Sequence, residues 1–158
     1  NSGQNASTGN ISITGTSDIK GSIINQNGAN FTNNITLDQS SKLGGISNNA
    51  NSTMSGTLDL KGEVGTITNA GKFDSTLTLS NKVGQINNEE SGTISNDITI
   101  NNGGSVGTLA NAGTMQNITI QQQGKVENIT NSGTMQAITN NATTGTLTLT
   151  NSGGTIDK

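Results

Sequence analysis

Apolar and polar residues alternate along most of the chain, in short stretches separated by polar turns. Stretches such as residues 35–37 (Ile-Thr-Leu) and 98–100 (Ile-Thr-Ile) have the two-residue period of a β-strand, and no useful window shows helical spacing. The residues between the stretches are mainly Gly, Asn and Ser, which favour tight turns. The pattern therefore predicts an all-β protein built from many short strands.

The strands belong to a repeat. One phrase reads apolar residue, Gly, any residue, Ile or Leu, any residue, Asn, as in residues 64–69, and it returns at 43–48, 83–88 and 106–111. Residues 126–131 keep the phrase except that Glu127 replaces the glycine. A second apolar anchor recurs at separations of 23, 19, 21, 21 and 20 residues. Its members are Phe31, Met54, Phe73, Ile94, Met115 and Met135.

One repeat unit has too few apolar residues to fold alone. Its regular apolar positions, in the first full copy, are Phe31, Ile35, Leu37, Leu43 and Ile46. Stacking of similar units would let each strand pair with the strands before and after it, so that backbone hydrogen bonds and side-chain ladders supplement a narrow core. We therefore predict a single-stranded parallel β-helix, or β-solenoid, of about seven coils of about 21 residues with three strands each, and we expect it to be right-handed.

The repeat also predicts the organisation of the chain. Residues 1–10 have no pattern and are expected to form a flexible segment, whereas residues 11–158 form the solenoid, as a fragment of a larger protein. The predicted coils are residues 11–30, 31–53, 54–72, 73–93, 94–114, 115–134 and 135–158. In the first coil Lys20 is expected to take the place of the apolar residue before the glycine, and in the last coil Thr146 does so.

Composition narrows the classes of function. Only 27% of the residues are hydrophobic, but just 11% are charged and none is Pro, which is not the composition of a typical disordered chain. The net charge is −3, without a basic stripe or interleaved aromatic residues, so nucleic acid is not an expected partner. No apolar run approaches the ~18 residues of a membrane span, so this segment is not expected to insert into a membrane. The chain has neither Cys nor His, and we expect no metal, cofactor or catalytic site.

The asparagine of the repeated phrase is the sharpest individual feature. Its copies are Asn25, Asn48, Asn69, Asn88, Asn111, Asn131 and Asn151. A row of amides could bind a ligand, but stacked Asn side chains also hydrogen-bond to one another at the spacing of paired strands and cap corners of the backbone. We expect this row to be a structural ladder.

Two further rows should lie on the outer surface. The first is Thr36, Asp59, Thr78, Thr99, Thr119 and Thr139, and its members Thr36, Thr78, Thr99 and Thr119 form a possible self-association face. Regular Thr arrays resemble ice-binding faces, but those faces usually need paired columns, and Asp59 interrupts this one. The second row is Lys42, Glu63, Lys82, Ser105 and Lys125, whose charges should alternate in its first three coils.

The positions of the carboxylates do not predict a catalytic pair of acids. Asp38, Asp59, Asp74 and Asp97 occupy different places in their repeats, whereas glycoside hydrolysis needs two neighbouring acids. Asp38 falls at the repeat position of Lys61, so a surface ion pair between them is expected.

The coil length, the Asn-x-Gly turns, the Ile-Thr-Ile strands and the lack of Cys resemble the β-helical passenger domains of autotransporters and related adhesins of Gram-negative bacteria. The resemblance covers residues 11–158. It implies export across the outer membrane and a location on the bacterial surface or outside the cell.

The leading functional expectation is an elongated scaffold on the cell surface that mediates adhesion or self-association. Its partner would be a second copy of the chain, bound laterally and weakly, or a receptor on a host or bacterial surface. One alternative is an inert stalk that presents a toxin or another effector module. The other is a carbohydrate-active β-helix enzyme, which a cleft with paired carboxylates would favour.

Overall fold

The computed structural model describes residues 1–3 and 9–157, and these residues contain β-strands and turns but no helix. The strands are β1 (Ile11–Ile13), β2 (Asp18–Asn25), β3 (Asn30–Phe31), β4 (Ile35–Leu37), β5 (Lys42–Asn48), β6 (Thr53–Leu60), β7 (Glu63–Asn69), β8 (Lys72–Leu79), β9 (Lys82–Asn88), β10 (Thr93–Ile94), β11 (Ile98–Ile100), β12 (Ser105–Asn111), β13 (Thr114–Met115), β14 (Ile118–Ile120), β15 (Lys125–Asn131), β16 (Thr134–Met135), β17 (Ile138–Asn140), β18 (Thr148–Asn151) and β19 (Thr155–Ile156).

The strands form two parallel sheets. One has seven strands in the order β18-β15-β12-β9-β7-β5-β2, so each strand pairs with its equivalent in the preceding and following repeat. The other has 12 strands and runs from β1 to β19 in chain order along its main path. The chain is therefore a β-solenoid of about 7 coils of about 21 residues, as the repeat predicts.

The prediction of three separate strands in every coil is wrong for two of them. β6 and β8 each run through eight residues without a break and pair along their whole length, including Gly56 with Ser75. In both strands three residues separate the two apolar positions, Met54 and Leu58 in β6, but the same spacing at Ile94 and Ile98 lies between the separate strands β10 and β11, so the spacing alone does not decide whether the ladder continues. In two later coils only two residues lie between the equivalent apolar positions, as at 116–117, and the strands on either side are separate.

The predicted core is confirmed. Phe31, Ile35, Leu37, Leu43 and Ile46 are each no more than 3% exposed. Their equivalents in later coils are stacked in register, so the narrow core runs as continuous columns along the axis. The core is uncovered in the last coil, where Leu149 pairs with the fully buried Ile129 but is itself 48% exposed.

The first coil differs from its prediction. β2 pairs with β5 through Ile19 and Leu43 and then through Ser22 and Gly45, with one extra residue between Ile19 and Ser22. This β-bulge puts Ile19, and not Lys20, at the position of the apolar residue. Ile19 is nevertheless 41% exposed.

Columns of glycine allow the corners to stack closely. A Cβ atom on Gly113 would overlap with the carbonyl oxygens of Gly92 and Glu89 in the preceding coil, and one on Gly133 would overlap with the carbonyl oxygen of Gly113. A second column joins Gly44, Gly65, Gly84 and Gly107 within the strands of the seven-stranded sheet. Side chains in these columns would push neighbouring coils apart.

Gly113→Ala should therefore lower the free energy of unfolding by about 1–3 kcal/mol, because backbone atoms cannot move aside as a flexible side chain can. Gly21→Ala is the matched control, since a Cβ atom there meets nothing within 4 Å and the residue has no positive φ. Chemical denaturation of both variants checks the prediction. Equal stabilities would show that the corners are looser than described.

Candidate functional site: the asparagine ladder and two surface columns

The predicted asparagine ladder is present and lies inside the solenoid. Asn25, Asn48, Asn69, Asn88, Asn111 and Asn131 are each at most 2% exposed. The Nδ2 atom of each donates to the Oδ1 atom of the next, over 2.8 to 2.9 Å, and the series ends on Asn151.

Each ladder amide also holds the backbone of a corner. The Nδ2 atom of Asn88, for example, donates to the carbonyl oxygen of Gly92 at 3.2 Å and to that of Thr114 in the next coil at 3.0 Å. Equivalent bonds run from Asn25 to Thr53 and from Asn111 to Thr134. Because the amides are buried and their donors are occupied, the ladder stabilises the stack and is not exposed to a ligand.

Asn1 adds a member that the sequence analysis missed. Its Nδ2 atom donates to Asn25 Oδ1 at 3.2 Å and to the carbonyl oxygen of Asn30 at 3.2 Å, which matches the pattern of the later members. Ser2 forms a parallel bridge with Gln26. The signal was present in the sequence, because residues 1–3 (Asn-Ser-Gly) repeat at 131–133 and 151–153. Residues 4–8 of the segment predicted to be flexible lie outside the described residues.

The threonine column is defined by Thr36, Asp59, Thr78, Thr99, Thr119 and Thr139, and the structure stacks it as predicted. Each member is the register partner of the next. Ser12 of β1 precedes Thr36 in the same column. The members from Thr36 to Thr119 are half-buried by their neighbours, and all point away from the core. The column therefore forms a regular hydroxyl surface with one carboxylate in it.

The predicted ion pair between Asp38 and Lys61 is wrong. Lys61 Nζ lies 2.9 Å from Asp59 Oδ2, two residues earlier on the same outer face, and Asp38 Oδ2 instead accepts from the backbone N–H of Gly15 at 3.2 Å. Register places Asp38 beside Lys61, but residues two apart on a strand share a face, and the side chain of Asp59 reaches the lysine first. Two further ion pairs also join residues that lie two apart on the same face, Lys72 with Asp74 and Lys125 with Glu127.

The charged column is defined by Asp18, Lys42, Glu63, Lys82, Ser105 and Lys125. Lys42 is the register partner of both Asp18 and Glu63, and Lys42 Nζ lies 3.0 Å from Glu63 Oε2. The predicted alternation is thus confirmed for Lys42 and Glu63, and Lys82 lies next in the same column, directly before Val83, the partner of Val64. Asp18 extends the alternation by one coil, which the sequence analysis missed because the bulge in β2 shifts the register.

The hydrogen bond between Lys42 and Glu63, together with their charges, raises the pKa of Lys42. A raised pKa means that this pair stabilises the fold while Lys42 is protonated, and that the contribution is lost as the pH rises through the pKa of Lys42. We expect Glu63→Gln to lower the pKa of Lys42, as measured by NMR titration of its Cε signal. The pKa of Lys61 should stay raised in that variant, because Asp59 holds it. An unchanged pKa of Lys42 would contradict the pairing.

Asp74 and Asp97, two carboxylates outside these columns, have separate structural partners. Asp97 Oδ1 accepts from Asn117 Nδ2 at 2.9 Å and from the Asn117 N–H at 3.2 Å, and Asp74 pairs with Lys72. Within residues 1–3 and 9–157, no group of three or more His, Cys, Asp or Glu side chains could hold a metal ion. The described chain also has no helix of the length and apolar character needed to cross a membrane.

These features define a parallel β-solenoid with an internal asparagine ladder and regular outer columns. Comparison of the chain with protein-family models, with curated proteins and with solved structures finds no match in any of the three.

Proposed function

We propose that the chain is an elongated scaffold at a bacterial surface or outside the cell, and that its polar flanks mediate adhesion or self-association. The observation that carries the proposal is the register of the threonine column, which repeats the same outer side chain in successive coils. About seven coils at ~4.8 Å make a flank of roughly 34 Å. Many weak hydrogen bonds along such a flank add up when the opposite surface has a matching repeat.

The test of self-association is sedimentation velocity of the chain over a range of concentrations. We expect weak, concentration-dependent oligomers that Thr99→Lys/Thr119→Lys weakens by about tenfold, because charge repels across a shared face. Thr57→Lys/Thr76→Lys is the matched control, since both residues are exposed in the same sheet but outside the column.

The test of adhesion is binding of the fluorescently labelled chain to epithelial cells and to Gram-negative bacteria. Binding that the column variant weakens and the control variant does not would support a receptor for this face. A chain that stays monomeric at every concentration and binds neither cell type would overturn the proposal, and the inert-stalk function would replace it.

A further inference from the structure

The first four members of the charged column alternate in sign along the axis. They are Asp18, Lys42, Glu63 and Lys82, one in each of four successive coils. Equivalent residues of adjacent coils lie about 4.8 Å apart, so the four charges span roughly 14 Å. Ser105 is neutral and Lys125 is paired with Glu127 at 2.8 Å, so the alternation ends at Lys82.

We propose that this column, which lies on the seven-stranded sheet and not on the sheet of the threonine column, is the centre of a second, antiparallel and two-fold symmetric contact between two copies of the chain; the proposal rests on the proposed self-association and adds a second face to it. A two-fold axis through the midpoint of the column, perpendicular to the solenoid axis, reverses the order of the charges. Asp18 of one copy then faces Lys82 of the other, and Lys42 faces Glu63. All four positions meet an opposite charge, and the contact is isologous and closes as a dimer.

Parallel arrangements match the charges less well. Two parallel copies in register place like charges opposite each other at every position. A parallel shift by one coil makes three opposite pairs and leaves one residue at each end unmatched. Electrostatic complementarity selects orientation and register in this way even when each exposed pair adds little affinity.

Lys82 has no ion-pair partner among the described residues, which fits a contact with a second copy. Lys20, Lys42, Lys61, Lys72 and Lys125 all have an ion pair within the chain, but among the described residues no carboxylate lies within ion-pair distance of Lys82. The antiparallel contact gives Lys82 a partner in Asp18 of the other copy. Asp18 keeps its own bond to Lys20 at 2.7 Å, and a carboxylate can accept from two lysines.

A groove beside the column gives these side chains room to reach across. The groove has a volume of about 380 Å³, and its floor includes Gly44, Gly65 and Gly84, which have no side chains. In the antiparallel dimer the groove of one copy faces the groove of the other. The lack of side chains at these glycines leaves room for the long side chains of the second copy's column.

The orientation is tested with Lys82→Glu, which breaks no ion pair within the described chain, and with the swap Asp18→Lys/Lys82→Glu. Sedimentation velocity in the Thr99→Lys/Thr119→Lys background, which weakens association through the threonine column, should show that Lys82→Glu weakens the remaining dimer by about tenfold. The swap should restore the dimer, because an inverted pair at positions 18 and 82 is again complementary in the antiparallel arrangement. In a parallel dimer shifted by one coil the swap would weaken association further, because position 82 faces Glu63 and position 18 faces Lys42.

Lys72→Glu is the charge control, since it makes the same change of charge on the other sheet, although it also removes the ion pair of Lys72 with Asp74. Thermal unfolding of each variant checks that it folds. If Lys82→Glu leaves the dimer intact, or if the swap fails to restore it, this inference is overturned and the proposed function still stands. A wild-type chain that never associates would overturn the self-association itself.

Discussion

Replacing Asn88 by Ala is expected to lower the free energy of unfolding by about 3–5 kcal/mol, because several buried polar groups lose a hydrogen bond at once. The two N–H groups of Asn88 Nδ2 are shared among Asn111 Oδ1, at 2.8 Å, and two carbonyl oxygens, and Asn88 Oδ1 accepts from Asn69 Nδ2 at 2.8 Å. Alanine supplies neither the donor nor the acceptor, and the site is too buried for water to replace them freely. Urea denaturation followed by circular dichroism measures the loss.

Two controls separate the ladder from the general effect of a substitution. Asn87→Ala changes the neighbouring residue, which faces outward, and should alter the stability by less than about 0.5 kcal/mol. Ser75→Ala removes a buried hydroxyl that has no hydrogen-bond partner in the described structure, so it should be neutral or stabilising. If Asn88→Ala is as mild as Asn87→Ala, the ladder does not hold the coils together.

Phe73→Ala is expected to lower the free energy of unfolding by about 3–5 kcal/mol, because it leaves a cavity in the core. Phe73 is 1% exposed and lies in register between Met54 in the preceding coil and Ile94 in the following one. Backbone hydrogen bonds fix the spacing of the coils, so the cavity cannot collapse along the axis. The same urea denaturation assay measures the effect.

Phe73→Leu retains most of the buried volume and should cost less than about 1.5 kcal/mol. Thr76→Ala changes an exposed residue of the same strand and should have little effect. A loss from Phe73→Ala that does not exceed that from Thr76→Ala would mean that the apolar anchors do not form the core.

The sequence predicted the fold because the same physical requirement recurs in each coil. An inward apolar pair such as Ile98 and Ile100 has to return in register whenever the chain completes a turn, and the buried amide of Asn111 has to meet the next one. The repeats within this single sequence are therefore enough to predict the coil length, the core and the ladder. The threonine column follows from the same register.

The predictions failed where the repeat is locally broken or where side chains choose between neighbours. The bulge after Ile19 changes which residue faces the core, and with it the place of Asp18 in the charged column. The partner of Lys61 depends on side-chain reach within one face and not on register. Asn1 was missed because residues 4–10, which follow its Asn-Ser-Gly motif, contain none of the repeated phrases.

Function is harder to predict than fold for a chain of this kind, because its most regular features stabilise the stack of coils. The asparagine ladder has the strongest pattern and is buried, whereas the outer columns are free to vary. The alternation from Asp18 to Lys82 is informative because the stack does not require it: Ser105 occupies the same column in the next coil.

The in-register stack of coils is the claim on which every column depends, and disulfide formation between engineered cysteines tests it most directly. The chain has no Cys, and Thr99 and Thr119 are register partners on the outer surface, so Thr99→Cys/Thr119→Cys should form a disulfide within one chain. Their Cα atoms should lie about 4.8 Å apart, within the range that a disulfide spans. In Thr99→Cys/Gln121→Cys the offset of two residues gives about 8 Å, which is too far. Cross-linking of the first pair without the second is the predicted result, and cross-linking of the second pair without the first would contradict the register.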